Sequence, residues 1–405
     1  MTGNSACTRR SVVATVGSTV LLSGGTAQSK FTGQHTKESE SIACNSWRGT
    51  WFTATGNTQG THVAGEGATL PKSDAQSSKI AIEQAKKDTN SVASYPAIAN
   101  ETIFATLTSG RAFAHGEQNW ITELESEGTG TPTVTCDAVY LTDDAYTYSL
   151  DYSNGKRIWK ADEASLTSPV ITGDRVIVGG FGSISAFDKR SGEQLWRQFY
   201  PHSETTYGIA SAGGFVVTTT KSTEEGYIHC YTTEGTHQWS QKVGPLFSTP
   251  AISNEKVFVG DHTGDIHALR LSSGEYVWEN RVGREIETGF AVKDGTVFVP
   301  GGADGNVHAV DSATGDIKWK TPIGISPTGP ALVDDQLAVT GDDIDELQSE
   351  DSDVGIAILD CKTGDVNKTF DTPGASNSLV DARGALAVGV ESLYYKFNSS
   401  IYSIK

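Results

Sequence analysis

From about residue 95 onward, short apolar runs alternate with clusters of Gly, Asp, Asn and Ser. One stretch shows the pattern in full: Ser248-Thr249-Pro250-Ala251-Ile252, Lys256-Val257-Phe258-Val259-Gly260, Gly264-Asp265-Ile266-His267-Ala268-Leu269, then Ser273-Gly274-Glu275-Tyr276-Val277-Trp278. Runs of four to six β-branched and aromatic residues between turn formers predict antiparallel strands joined by hairpins. Neighbouring segments repeat the pattern, as in Ser168-Pro169-Val170-Ile171 with Val176-Ile177-Val178-Gly179, and Gly289-Phe290-Ala291-Val292 with Val297-Phe298-Val299-Pro300. Pro96, Pro132, Pro169, Pro250 and Pro330 open the first strand of five units, where no ladder donor is lost.

The period is set by tryptophan. Six of the eight Trp have Gly four positions earlier: Gly116/Trp120, Gly155/Trp159, Gly192/Trp196, Gly235/Trp239, Gly274/Trp278 and Gly315/Trp319. Successive Trp lie 39, 37, 43, 39 and 41 residues apart, the period of an array, solenoid or propeller. A four-stranded sheet cannot bury both faces alone, and stacking such sheets around an axis solves the problem. In that arrangement each Trp ends an outer strand and fills the wedge between blades, and each Gly supplies a positive φ to the preceding turn. The expected fold is therefore all-β, an eight-bladed β-propeller of four-stranded antiparallel blades. Units begin near 95, 131, 168, 207, 248, 288 and 328, and an eighth near Ser378. The seventh has Lys368 where Trp belongs, and the eighth ends at Lys405 with Ser400–Ile404 as its third strand. An N-terminal strand is expected to close it, placed at residues 79–86, although Ala81-Ile82-Glu83-Gln84-Ala85 favours helix locally.

Composition narrows the classes. The chain has 405 residues with Lys+Arg 31 against Asp+Glu 49, a formal charge of −18. Nucleic acid and anionic membrane surfaces both require a basic face, so neither is an expected partner. Gly, at 44 residues, suits a turn-rich β protein. Arg9-Arg10 before a mildly apolar stretch, Val12 to Leu22, and then Ser23-Gly24-Gly25 resembles a twin-arginine signal peptide over residues 1–27. Residues 28–78 read as a partly irregular extension, and 79–405 as the propeller. No stretch is long and apolar enough for a transmembrane span. The five Cys (7, 44, 136, 230 and 361) form no CxxC and no adjacent pair; Cys136 and Cys230 read as small buried strand residues.

Candidate chemistry is sparse. His229, His267 and His308 occupy one repeat position in three units, yet equivalent positions on adjacent sheets lie about 10 Å apart, too far for one zinc ion with nitrogen ligands at about 2 Å. They read as polar filling, and no metal or catalytic residue is assigned. Residues 341–353 interrupt the seventh unit with seven acidic side chains among thirteen positions. This loop, Asp342–Asp353, has oxygen ligands for weak calcium binding; a solvated acidic surface is the plainer expectation. No Gly-x-Ser-x-Gly, His-Glu-x-x-His or phosphate-binding loop is present.

The unit itself carries a family likeness. Asp188-Lys189-Arg190-Ser191-Gly192-Glu193-Gln194-Leu195-Trp196 and Asp311-Ser312-Ala313-Thr314-Gly315-Asp316-Ile317-Lys318-Trp319 resemble the pyrroloquinoline-quinone-type (PQQ-like) propeller repeat. Trp47 and Gly56-Asn57-Thr58-Gln59-Gly60 are similar to exported archaeal members. The resemblance implies eight blades without implying the quinone, since the family divides into quinoprotein dehydrogenases and cofactor-free propellers that bind proteins. The dehydrogenases cover their quinone with a disulfide between adjacent Cys, which this chain lacks. The leading expectation is a non-catalytic exported scaffold without cofactor, holding a protein or extracellular partner on its loop-bearing rim. The alternative is a quinone- and calcium-dependent dehydrogenase.

Overall fold

The computed structural model describes residues 56–405 except 58, 61–62, 66, 81–90, 129, 166, 223–224, 301, 325–328, 343, 345–353, 373–385 and 398–399. The expected signal peptide and most of the acidic loop fall outside these residues. Eight four-stranded antiparallel sheets form a β-propeller. Blade 1 spans Ala97–Glu123, blade 2 Thr133–Ala161, blade 3 Val170–Phe199, blade 4 Thr205–Val243, blade 5 Ala251–Arg281, blade 6 Ala291–Pro322 and blade 7 Ala331–Asp371. Blade 8 joins Ala387–Val388, Leu393–Phe397 and Ser400–Ile404 to Ser77–Lys79 from the other end of the chain. Strands alternate in direction, so the connections between blades and those between second and third strands share one face, here the crossover face. The remaining hairpins share the other.

Closure by an N-terminal strand was legible, but its position was not. The strand is Ser77–Lys79, paired with Ile404, Ser403 and Tyr402, rather than 79–86. The Ile80 N–H bonds to the Ile401 carbonyl at 2.8 Å, so the pairing ends where the expected strand was to begin; residues 81–90 are outside the described set. Short polar Ser77 and Ser78 gave no strand signal of their own, because the partner strand supplies both the ladder and the apolar contacts.

Each blade is fixed to the next by one repeated contact. A Cβ on Gly155, Gly192, Gly235, Gly274 or Gly315 would lie 2.5–2.8 Å from ring atoms of Trp120, Trp159, Trp196, Trp239 or Trp278, respectively. The Gly and Trp of one unit therefore do not pair with each other; each glycine receives the indole of the preceding blade. Each indole also donates Nε1–H to a carbonyl in that next blade, from Trp120 to Tyr152 at 3.0 Å through Trp278 to Ser312 at 3.1 Å. Within its own sheet the Trp stands opposite a small residue: Ala114, Ser149, Ala186, Cys230, Ala268 or Ala309. From blade 2 onward a bulge follows that partner, which re-aims the strand end.

The two ends of this series explain the irregular units. Gly364 of blade 7 still seats Trp319. Lys368, in the Trp position, faces Ile358 instead of a small residue, and offers blade 8 no indole. Gly116 of blade 1 lies against the backbone of Glu101 and Thr102, not against a ring. Blade 8 is thus flanked by the two junctions without a Trp–Gly seat.

An N-terminal arm compensates there. Two-residue turns close the hairpins of blades 5 and 7 at Ser253↔Lys256 and Val333↔Gln336, so the backbone groups of Ile252 and Leu332 point away from their second strands, toward the ring axis. Gln59 accepts from the Ile252 N–H at 2.8 Å, and the Ala64 N–H donates to the Leu332 carbonyl at 2.9 Å. The arm thus enters the axial channel. It then crosses blade 8, with Thr69 N–H to the Gly389 carbonyl at 3.0 Å, and reaches the outer edge at Gln76. Ala64, Ala68, Leu70, Ala75 and Ile80 pack on a core shared with Ile98, Ile356, Tyr394 and Ile401.

Two outcomes follow. A chain starting at residue 76 retains the closing strand, whereas one starting at 81 loses it; thermal unfolding should show the second clearly less stable than the first. Gly274→Ala should cost more than Gly173→Ala, although both have positive φ (71° and 57°). Nothing lies within 4 Å of a Cβ at Gly173, leaving a backbone cost of about 1–2 kcal/mol. At Gly274 the clash with Trp239 adds an overpacking cost of about 1–3 kcal/mol, readable by denaturant unfolding.

Candidate functional site

The crossover face is built from one recurring polar slot. In blades 3 to 6, one third-strand position meets a carboxylate from a crossover-face loop and stands opposite a fourth-strand residue in the ladder. In blade 3, Ser185 meets Glu163, which is ion-paired to Arg197. In blade 4, His229 Nε2 lies 2.7 Å from Glu204. In blade 5, His267 Nε2 lies 3.1 Å from Asp261, and its Nδ1 3.2 Å from Glu279. In blade 6, His308 Nε2 lies 2.8 Å from Asp304. The three histidines are 2–3% exposed and each is bonded within its own blade. No group of three or more metal-ligating side chains occurs among the described residues. These slots fasten loops to sheets through the Nε2 atom of each histidine, while Glu204 Oε1 and His308 Nδ1 are buried without a hydrogen bond.

Burial pushes the Glu204 carboxyl up, but hydrogen bonds from His229 and Thr220 outweigh it and hold the group below the usual carboxylate range. Asp261 follows the same pattern, its burial outweighed by His267 and Thr263. Oriented donors stabilise the charged form more than lost water destabilises it.

Large aromatic side chains stand on the same face. Phe181 and Phe199 are 69% and 74% exposed, and Tyr207 is 39% exposed. They gather at the junction of blades 3 and 4, where Phe181 bridges Thr205 and Gly182 N–H bonds to the Glu204 carbonyl at 2.7 Å. Tyr207 meets Phe247 edge-on at 5.2 Å, and the Lys221 ammonium lies 3.9 Å above the Phe247 ring. Sequence reasoning missed this set. The available signal was Gly180-Phe181-Gly182, an aromatic ring in a turn that reads Asp261-His262-Thr263 one unit pair later.

The other sequence candidates separate. Trp120, Trp159, Trp196, Trp239, Trp278 and Trp319, with their glycines, lie between blades and line no shared site. Cys230 is buried, and burial pushes its thiol up to about 12. Cys136 departs from expectation: it stands exposed in the bend after the first strand of blade 2 and is disulfide-bonded. The strand ends at Val134, so the following Thr135-Cys136-Asp137 forms the turn. The Ser222 N–H bonds to the Glu225 carbonyl at 2.9 Å. On the opposite face a cleft of about 270 Å³ lies between blades 6 and 7. Its Lys293, Lys318 and Lys362 are already bonded to carbonyls or carboxylates.

Comparison with known proteins gives the chain's affinities. A family model described as outer membrane protein assembly factor BamB matches residues 54–181, 180–263 and 224–396. Outer membrane protein assembly factor BamB of Burkholderia pseudomallei is 30% identical over 182 residues, covering 43% of this chain and 46% of its own length. The chain thus spans about half the length of the curated relatives it matches. Among solved structures, BamB from Moraxella catarrhalis superposes with a TM-score of 0.62 at 18% identity, covering 81% of this chain and 95% of that one. Quinohemoprotein alcohol dehydrogenase from Comamonas testosteroni gives 0.63 at 11% identity, covering 88% and 80%. These structures establish the fold alone. The relatives named here are bacterial and do not bear on the expected archaeal likeness.

The slots make stability depend on pH. A carboxyl depressed in the folded state binds protons more readily when unfolded, so its contribution is present above the unfolded value and lost as pH falls through the folded one. Resistance to thermal unfolding should therefore weaken below about pH 4.5, the ordinary Glu value. Glu204→Gln should be less stable than the parent at pH 7, with the difference shrinking toward pH 3.

Proposed function

The chain belongs to the PQQ-like repeat family whose model is described as outer membrane protein assembly factor BamB, and on that premise we propose that it is an exported scaffold of the cell envelope whose crossover face holds a protein partner. The observation that carries this reading is the exposed aromatic set Phe181, Phe199 and Tyr207 beside Phe247. Large exposed rings held on rigid loops are what a protein interface uses as anchors, combining area with little conformational freedom to lose. The scaffold suits the task, because loops vary while the Trp–Gly seats hold their bases. The twin-arginine-type segment over 1–27 supports export, and the archaeal-like Trp47 segment remains part of the same reading.

The quinone alternative fits the chain poorly. The sequence has no adjacent Cys pair. No group of three or more His, Cys, Asp or Glu side chains placed to hold a metal ion stands among the described residues. The arm at Gln59 and Ala64 already bonds to the inner edges that line the axis.

Partner binding can be located by photocrosslinking in cells. A benzophenone amino acid at Phe199 should yield one discrete protein adduct, and the same group at Ile158, exposed on the outer rim, should yield none. Each ring buried at an interface contributes about 1.5–3 kcal/mol, so Phe181→Ala with Phe247→Ala should weaken capture at least a hundredfold. Crosslinks at Ile158 but not Phe199 would place the partner elsewhere.

A further inference from the structure

Four slots share one design, and the fourth blade fills it differently. Opposite the third-strand residue, blades 3, 5 and 6 place Arg197, Glu279 and Lys320, all charged. Blade 4 places Ser240, exposed on the outer strand. Its Oγ lies 2.7 Å from His229 Nδ1 and 2.7 Å from His237 Nε2. His229 Nε2 in turn lies 2.7 Å from Glu204 Oε2, whose side chain is fully buried.

Proton positions follow from the ends of this chain. An ionised carboxylate can only accept, so His229 carries its proton on Nε2 and donates it to Glu204. Nδ1 then holds a lone pair and accepts the Ser240 O–H. Ser240 Oγ accepts in its turn from His237 Nε2–H. Burial lowers the His237 imidazole, which favours the neutral ring. Tyr200 stacks on His229 at 5.1 Å between ring centres, fixing the base from the side of blade 3. A buried acid orienting a histidine that accepts from an accessible hydroxyl has the logic of an acid–base–nucleophile triad.

We propose that Ser240 is an acylatable nucleophile, with His229 as its general base, Glu204 as the positioning residue and His237 as the donor facing the oxyanion. The substrate class is a small activated ester, because the site lies open on the rim and offers one oxyanion donor. Ser240 Oγ attacks the acyl carbon while its proton passes to His229 Nδ1. The tetrahedral oxygen faces His237 N–H. Collapse breaks the bond to the leaving alkoxide, which takes the proton from His229 and departs as the alcohol. Water then hydrolyses the Ser240 ester by the same transfers, releasing the carboxylic acid. This capacity is independent of partner binding on the crossover face, and crosslinking at Phe199 should be unchanged by Ser240→Ala.

The test treats the folded full-length protein with a fluorophosphonate probe and maps adducts by mass spectrometry. A phosphorus–oxygen bond forms at Ser240 as fluoride leaves. The expected result is one adduct on Ser240, none on exposed Ser273, none in Ser240→Ala, and labelling slowed at least tenfold in Glu204→Gln and His229→Gln. Absence of a Ser240 adduct, under conditions that fully label a reference serine hydrolase, overturns the proposal. So does unchanged labelling in folded His229→Gln. Should that variant not fold, Ser240→Cys keeps the question open to measurement by the pH dependence of its alkylation with iodoacetamide. A midpoint at least one unit below the free thiol value of about 8.5 supports a base at Nδ1; an ordinary midpoint overturns it.

Discussion

An indole seated on a glycine of the next blade is the contact on which the ring depends. It demands two residues about one repeat apart: a Trp that stands opposite a small side chain, and a glycine with no Cβ to displace the ring. Each seat combines apolar burial with an Nε1–H bond to a carbonyl across the junction, so it fixes distance and orientation together. A closed ring multiplies this constraint, since one misplaced blade shifts every later junction. The irregular blade is then the informative one. Blade 8 receives no indole from Lys368 and gives none to Gly116. The N-terminal arm substitutes backbone pairing at Ser77–Lys79 and apolar packing at Ala68 and Leu70.

Rigid junctions leave the tips of the crossover-face loops without structural duty. The loops are fastened at their bases by the carboxylate slots, and their tips carry Phe181, Phe199 and Phe247. The proposed partner face and the Ser240 arrangement thus draw on one design at different depths. The outer ends of the slots face the rim, where a substitution changes chemistry without disturbing the sheet. Arg197, Ser240, Glu279 and Lys320 show that freedom within a single chain.

The sequence made the blades legible because their signals are local. Apolar runs, hairpin turns and the Trp period all lie within about forty residues of each other. What lay hidden was relational. Gly274 and Trp278 sit four residues apart and look like partners, yet Gly274 serves Trp239 from the preceding unit. Ser77 and Ser78 carry no strand propensity, and only pairing with Ser403 and Ile404 makes them a strand. His229 was read as polar filling, which describes its ring but not its two nitrogens. The Glu204 and Ser240 that bond to it lie 25 and 11 residues away, and no spacing rule joins them. Cys136 was misread because its strand stops two residues earlier than its apolar neighbours suggest.

The central claim is that Trp–Gly seats lock seven blades while blade 8 is held by the arm. Native-state hydrogen exchange read by mass spectrometry measures this directly, since each segment reports the free energy of its own opening. The account predicts that amides of 76–80 and Leu393–Ile404 exchange together through one opening, at a lower free energy than the inner strands of blades 3 to 6. Protection of blade 8 equal to that of blades 3 to 6, or exchange of 76–80 independent of Ser400–Ile404, would contradict it.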